Sequence, residues 1–425
     1  MSKNDSAPEK RFFDQLPLSI IAVIVYIVIC IFLSRPFFGW LFFSGITEKS
    51  MLSATGYERN NALYHYILGR YYHRNFIKPD PKKAVLYYKR SLEINPLQPD
   101  AWLDLSRAYK NLGQQNKAEF ALERAVRLSP NNGELMWNAG SFWLMNNMTE
   151  KATSTFRQYL LLEPARQKRV YDLYWKLKLD NRYILEDVVP DSYEYKSRYL
   201  LYLISRNKIP EAEEAWNTID LEYLEQNVFI SYINFLIQQG LYETGGDLWK
   251  EITAQIEGLE TGDDSSLIWN SGFDNLLLNG GFDWSIRETR GVDVFIDDVI
   301  KLTGIHSLGV TFDGKHNPDI TIAQQIVRIK PATQYILTGY IKTTDITTKN
   351  GIILQVIGHK CKGLYKKTLP VTGTNLWREV ALEFKTPPDC NALVVRVRRE
   401  LSKKLDNKIE GTAWIDSVML KQQID

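Results

Sequence analysis

Residues 101–130 read AWLDLSRAYKNLGQQNKAEFALERAVRLSP. Within them Trp102, Leu105, Ser106, Tyr109, Gly113, Ala118, Leu122, Ala125 and Pro130 form a pattern of small and large residues, and it returns 34 residues later. The second copy is Met136, Ala139, Gly140, Trp143, Ala152, Phe156, Tyr159 and Pro164. Two copies in phase predict an all-α repeat, each unit a pair of antiparallel helices that cannot bury its apolar face alone. Small residues at Gly69, Ala84, Ala118, Gly140 and Ala152 let the helices approach closely, and the aromatics between them fill the core.

Outward from this stretch, an earlier unit reads Leu68, Gly69, Tyr72, Ala84, Tyr88, Ser91 and Pro96, with about three extra residues around Lys78-Pro79-Asp80-Pro81. Degenerate units follow as Leu200, Leu203, Ala212, Trp216 and Ile219, then Phe229, Ile233, Leu236, Gly245, Trp249 and Ile252. Residues 166–192 have no assignable register. Clear repeats are thus expected over 61–165 and degenerate ones over 166–257.

The period and the order of residues resemble the tetratricopeptide repeat. In that family the first helix of each unit lines a concave groove. The resemblance places Tyr66, Arg70, His73 and Arg74, then Arg107, Lys110 and Asn111, then Trp137 and Ser141 on one basic, aromatic surface. Fourteen Lys and Arg against nine Asp and Glu over 61–165 agree with that sign. Such a groove suits a protein partner that offers an acidic segment or a carboxyl terminus. The same side chains on ordinary solvated helix faces are the competing reading.

Toward the N-terminus, residues 16–34 contain no charge and are rich in Ile, Val and Leu. As a helix they span about 28 Å, close to the roughly 30 Å of a bilayer's hydrocarbon core. Arg35 and Pro36 interrupt the run, and Phe37, Phe38, Trp40, Phe42 and Phe43 supply interfacial aromatics within a linker over 35–60. A retained signal anchor through the lipid bilayer is expected. Lys3, Lys10 and Arg11 precede it within residues 1–15, against Arg35 and Lys49 after it. The excess places the N-terminus in the cytoplasm and the rest outside, as in a single-pass protein of a bacterial-type inner membrane.

Toward the C-terminus, Thr261-Gly262-Asp263-Asp264-Ser265-Ser266 marks a linker over 258–269. Short alternating segments then replace helical periodicity, about ten strands in all, among them Tyr335–Lys342, Ile352–Ile357, Trp377–Lys385, Leu393–Arg398 and Thr412–Leu420. A two-sheet jelly-roll sandwich is expected over 270–425.

Asn275–Asp283 (NLLLNGGFD) looks like the opening strand of carbohydrate-binding modules with a galactose-binding-like jelly roll. Gly304–Val310, Tyr335–Lys342 and Trp414–Leu420 are similar to further strands of that family. The resemblance implies polysaccharide binding, and a structural Ca2+ ion held through Asp283 and Asp416 or, equally, two carboxylates without metal. Tyr340, Tyr365 and Trp377 are candidates for stacking on sugars. Val395 and Val397 point inward and Arg396 and Arg398 outward, where Lys360, Lys362, Lys366 and Lys367 extend a basic face. Pairing of both arginines with Glu379 and Glu383 is the alternative use.

The chain has 425 residues, and 52 basic against 50 acidic residues leave a net charge of +2. That balance argues against a nucleic-acid partner. Cys361 and Cys390 are free to pair in an oxidising compartment, but the residues favour two separately buried thiols. Five scattered histidines, with no nucleophile elbow, phosphate loop, zinc spacing or dinucleotide fingerprint, predict no enzyme. The combination predicts a membrane-anchored envelope scaffold in surface-polysaccharide synthesis or export. A purely protein-binding factor of a secretion or filament system is the alternative, and a glycan-active enzyme a lesser one.

Overall fold

A computed structural model describes residues 18–44, 47–256, 266–405 and 407–423. The basic residues before the apolar run, and most of the expected linker over 258–269, lie outside the described residues. The chain divides into two compact units, one ending at Asp191 and the other starting at Ser192.

The first unit opens with α1 (Leu18–Phe43) and α2 (Glu48–Tyr57). From Ile20 to Phe43, α1 is long and apolar enough to cross a membrane, with a mean hydropathy of 2.5. It runs on through Arg35 and Pro36 rather than ending there. Phe42 stacks on Tyr57 at 5.3 Å and Phe43 on Tyr64 at 4.9 Å, so the last turns of α1 pack on the helices that follow.

Three helix pairs succeed them: α3 (Ala62–Arg74) with α4 (Pro81–Ile94), α5 (Pro99–Asn111) with α6 (Gln115–Leu128), and α7 (Gly133–Met145) with α8 (Thr149–Leu162). Asn61, Asp80 and Asn132 cap α3, α4 and α7 by accepting first-turn N–H groups. Inside the pairs the small residues act as the repeat pattern requires. A Cβ on Gly69 would stand 2.6 Å from the Tyr88 ring, and one on Gly140 2.8 Å from that of Phe156. The stretch without a register forms α9 (Gln167–Lys176), a short α10 (Asn181–Tyr183) and a π-turn at Ile184–Val188.

The second unit contains the pairs α11 (Tyr193–Ser205) with α12 (Ile209–Trp216) and α13 (Gln226–Gln239) with α14 (Tyr242–Thr253), then a sandwich of two antiparallel five-stranded sheets. One sheet has the order β1-β4-β9-β6-β7: Ser285–Ile286, Ile320–Arg328, Ala392–Arg399, Ile352–Gly358 and Tyr365–Lys367. The other has β2-β3-β10-β5-β8: Val292–Asp297, Ser307–Asp313, Glu410–Gln422, Gln334–Ile346 and Gly373–Lys385. Alternate residues such as Ile341, Ile415, Val395 and Val397 fill the core between them.

Two expectations are corrected here. Asn275–Asp283 is irregular rather than an opening strand, because Gly280 and Gly281 leave room for α13 and α14. A Cβ on Gly280 would meet Ile230 at 2.6 Å, and one on Gly281 would meet Trp249 at 2.3 Å. The Gly281 N–H donates to Asn234 Oδ1 at 3.0 Å. Cys361 and Cys390 are joined as a disulfide rather than buried apart, since the turn after β6 and the entry to β9 bring their Cα atoms to 5.2 Å.

Candidate functional site

On the repeat surface of the first unit the basic side chains converge on a carboxylate. Asp104, one turn before the end of α5's apolar stripe, is 3 % exposed. Its Oδ1 accepts from Arg107 Nη1 at 2.9 Å and its Oδ2 from the Tyr66 hydroxyl at 3.0 Å. Arg70 Nε and Arg74 Nη2 each stand 3.9 Å from its oxygens. Arg107 also donates through Nη2 to Asn138 Oδ1 at 2.9 Å, which ties α5 to α7. His73 bridges the Tyr88 hydroxyl at 3.2 Å and Asn111 Nδ2 at 3.1 Å.

Three guanidinium groups thus share one buried carboxylate. A buried charge is tolerated only when it is paired and hydrogen-bonded, and Asp104 is both. Asp104 neutralises one of the three, and the surplus is positive. Arg107 is committed by two good hydrogen bonds, whereas Arg70 and Arg74 make only long contacts, with side chains 37 % and 55 % exposed. These two are the groups available to an incoming anion. Burial first, and Asp104 second, push the Tyr66 phenol well above its usual range, so it stays protonated as a donor. Burial, together with Arg107 and Arg74, pulls His73 down against the opposing pull of Asp104.

Among the residues placed on this surface, Tyr66, Arg70, His73, Arg74, Arg107 and Asn111 come together. Tyr66 belongs to the floor, being 8 % exposed. Lys110 sits next to them, its Nζ 5.5 Å from the Phe142 ring centre and 3.8 Å from Met145 Sδ. Trp137 packs on Phe156 and Tyr159, and the Arg169 guanidinium lies 3.6 Å over its ring. Sequence reasoning missed Asp104 and Arg169. The first carried a signal, an acid three residues before Arg107 on one helix face. The second belongs to the stretch whose register the sequence does not reveal.

On the sandwich, the five sugar-site candidates divide between two sheets. Tyr340 and Trp377 are on β5 and β8, while Tyr365, Arg396 and Arg398 are on β7 and β9 of the other sheet. Pairing of the arginines with Glu379 and Glu383 is excluded by the same topology, because those glutamates are on β8. Arg398 instead donates to Asp319 at 2.7 Å and to Thr321 at 2.9 Å. Arg396 lies in register with Gln324 on one side and Gln355 on the other. Its Nε is buried without an acceptor among the described residues, and burial, then Arg398 and Arg287, hold the group below its usual range. Tyr365 is 57 % exposed and accepts from Gln355 at 3.2 Å.

The residues proposed for calcium do not fit the ion. Asp283 accepts from the N–H groups of Leu278 and Trp284 at 2.6 and 2.7 Å, and Asp416 from those of Leu302 and Ser417 at 2.7 and 2.5 Å. Both act as buried caps of backbone turns. Among the described residues no group of three or more His, Cys, Asp or Glu side chains is arranged to hold a metal.

A tetratricopeptide-repeat family model matches residues 87–120, the second half of α4, all of α5 and the start of α6. No curated protein matches the chain in sequence. Among solved structures it is similar to a crystal structure of MamA, at 22 % identity and a TM-score of 0.26, over 28 % of this chain and 69 % of that one. It is also similar to the first tetratricopeptide domain of Spaghetti (RPAP3) bound to an HSP90 peptide, at 20 % identity and TM-score 0.25, over 28 % of this chain and 97 % of that one. A third likeness is to the enzymatically active domain of tailspike protein 4 of bacteriophage CBA120, at 14 % identity and TM-score 0.27. It covers 37 % of this chain and 22 % of that chain. The family match and the helix pairs support tetratricopeptide-type repeats in the N-terminal region, ahead of an all-β sandwich.

Proposed function

We propose that the chain is a non-catalytic scaffold, held at a membrane by α1, whose first-unit repeats capture an acidic segment of a protein partner. The observation that carries this reading is the cluster around Asp104, where three arginines meet one carboxylate and the two loosely held ones are half exposed. Anionic groups of a partner would complete the pairing, in a setting where partial burial weakens screening by salt. The disulfide between Cys361 and Cys390 supports an oxidising, extracytoplasmic setting for the sandwich. Cross-linking in intact membranes from a photoreactive residue at Asn111 tests the reading. Capture should yield a partner peptide rich in Asp and Glu, and capture of neutral or basic segments alone would refute it.

A second reading concerns the sandwich. The unpartnered Nε of Arg396, next to Arg287 and Arg398 and near exposed Tyr365, favours an acidic polysaccharide on that sheet, as in surface-glycan synthesis or export. Binding of uronic-acid oligosaccharides by the full chain, weakened in R396Q, is the expected result. Equal binding of neutral sugars would refute the preference for an acidic glycan, and no binding of any acidic or neutral oligosaccharide would leave the rival, a purely protein-binding assembly factor.

A further inference from the structure

Where α1 meets the first repeat, a cleft of about 1160 Å³ opens between the helix and the segment around the end of α2. Its walls change character along its length. Ile31 and Phe32, both more than half exposed, line it before Arg35, whereas Phe38 past Arg35 stacks on Tyr57 at 5.9 Å, and Arg59 and Asn60 follow just past α2. Arg35 stands at the change, its guanidinium 5.5 Å from the centre of the Phe32 ring. Neither Arg35 nor Arg59 is paired with a carboxylate among the described residues. Glu58, also on the cleft, is engaged by Asn61 Nδ2 at 2.7 Å.

The position of this cleft follows from packing. A Cβ on Gly39 would stand 3.2 Å from Glu58 and Tyr64, so one face of the upper turns of α1 is pressed onto the repeat unit, while Phe37 and Trp40 stay exposed on the rest of it, as interfacial aromatics do. Below Arg35 the side chains of α1 are exposed apolar groups, among them Val23, Ile24, Ile27 and Val28. The described helix from Leu18 to Ser34 rises about 26 Å, which puts Arg35 at the edge of a hydrocarbon core of about 30 Å. With α1 across the membrane the cleft lies at headgroup level, apolar toward the membrane, with two guanidinium groups against the one carboxylate of Glu58 away from it.

We infer that this cleft seats an anionic phospholipid of the bilayer, its phosphate recognised by Arg35 and Arg59 and its acyl chain laid along Ile31 and Phe32. This rests on α1 spanning the membrane. Juxtamembrane cations attract anionic lipid generally, but two unpaired arginines in one amphiphilic cleft select a bound molecule rather than a diffuse layer. Zwitterionic lipid shares the phosphate and carries a compensating cation, so it competes poorly.

The test uses the full chain in vesicles of phosphatidylcholine with roughly a third phosphatidylglycerol, extracted gently into detergent, with retained lipid measured by native mass spectrometry. Wild type should keep phosphatidylglycerol over phosphatidylcholine by about tenfold relative to the bulk, and R35Q/R59Q should lose most of that preference. Circular dichroism checks that the variant stays helical. Alkaline washing of the vesicles separates two failures. A chain washed off would overturn the membrane reading and the lipid site with it. A chain retained without lipid preference, or a variant with undiminished preference, would overturn the lipid site alone.

Discussion

Asp104 shows how a residue that looks ordinary in sequence organises a surface. A single acid in a helix with Arg107 one turn away suggests a solvated pair, of the kind that contributes little. Its burial comes from outside α5, because Tyr66, Arg70 and Arg74 arrive from α3. That Arg70, Arg74 and Arg107 share one surface was legible, since the repeat register fixes which side of each first helix they occupy. The carboxylate was not, since its burial depends on the neighbouring pair. Replacing Asp104 by Asn should cost about 1–3 kcal/mol, less than for a fully buried pair because the arginines are partly exposed. Chemical denaturation measures this, and an unchanged midpoint would remove Asp104 from the centre of the site.

Asp283 offers a second test at this scale. Burial pushes its carboxyl up to about 6, against the pull of the N–H groups of Leu278 and Trp284. The folded state therefore holds a proton that the unfolded state releases near 4. Its contribution to stability is present below the unfolded value and is lost as pH rises through about 6. Relative to D283N, wild type should lose stability between pH 4 and pH 7, by an amount on the order of 3 kcal/mol at most. Thermal melts of both proteins across that range read the difference, and a constant offset would contradict the shift.

Among elements, the helix pairs were the most legible part, because a small residue facing an aromatic one is a local signal repeated at a fixed period. Gly69 and Gly56 separate that packing role from mere tolerance. An added methyl at Gly69 collides with the Tyr88 ring, whereas at Gly56 in α2 it meets nothing within 4 Å. G69A should destabilise the first unit by about 1–3 kcal/mol through overpacking. G56A should stabilise it by up to about 1 kcal/mol through helix propensity. Opposite shifts in denaturation midpoint are the expected result, and destabilisation by both would show that the gap at Gly56 is filled. The apolar run Leu276–Leu278 misled because a segment tucked beneath a helix pair carries the same apolar letters as a strand. The disulfide was illegible for a related reason, since only the completed sheet brings Cys361 and Cys390 together. Removing it as C361S/C390S should lower the stability of the second unit by about 2–4 kcal/mol. A melt that matches wild type would mean that the bond contributes nothing to folding.

Over the whole molecule, composition reported the change of secondary-structure class near residue 262 but not the grouping of contacts. The last four long helices belong with the sandwich, joined through Trp249 to Phe282 and Trp269 and through Tyr242 to His359. Composition and packing answer different questions, and only packing shows which elements share a compact unit. The first unit brings a membrane-length helix and a cluster of basic side chains into one compact unit, which is why the proposal joins a tether to a capture surface.

The capture surface is tested most directly by titrating the detergent-solubilised full chain against a fluorescent peptide of about ten residues rich in Asp and Glu, and against its Asn/Gln counterpart, by anisotropy. The acidic peptide should bind in a salt-sensitive manner and its neutral counterpart at least about tenfold more weakly, with R70Q/R74Q abolishing the difference while helicity is unchanged. Equal binding of both peptides, or undiminished binding by the helical R70Q/R74Q variant, would contradict the assignment of the Asp104 cluster as the partner site.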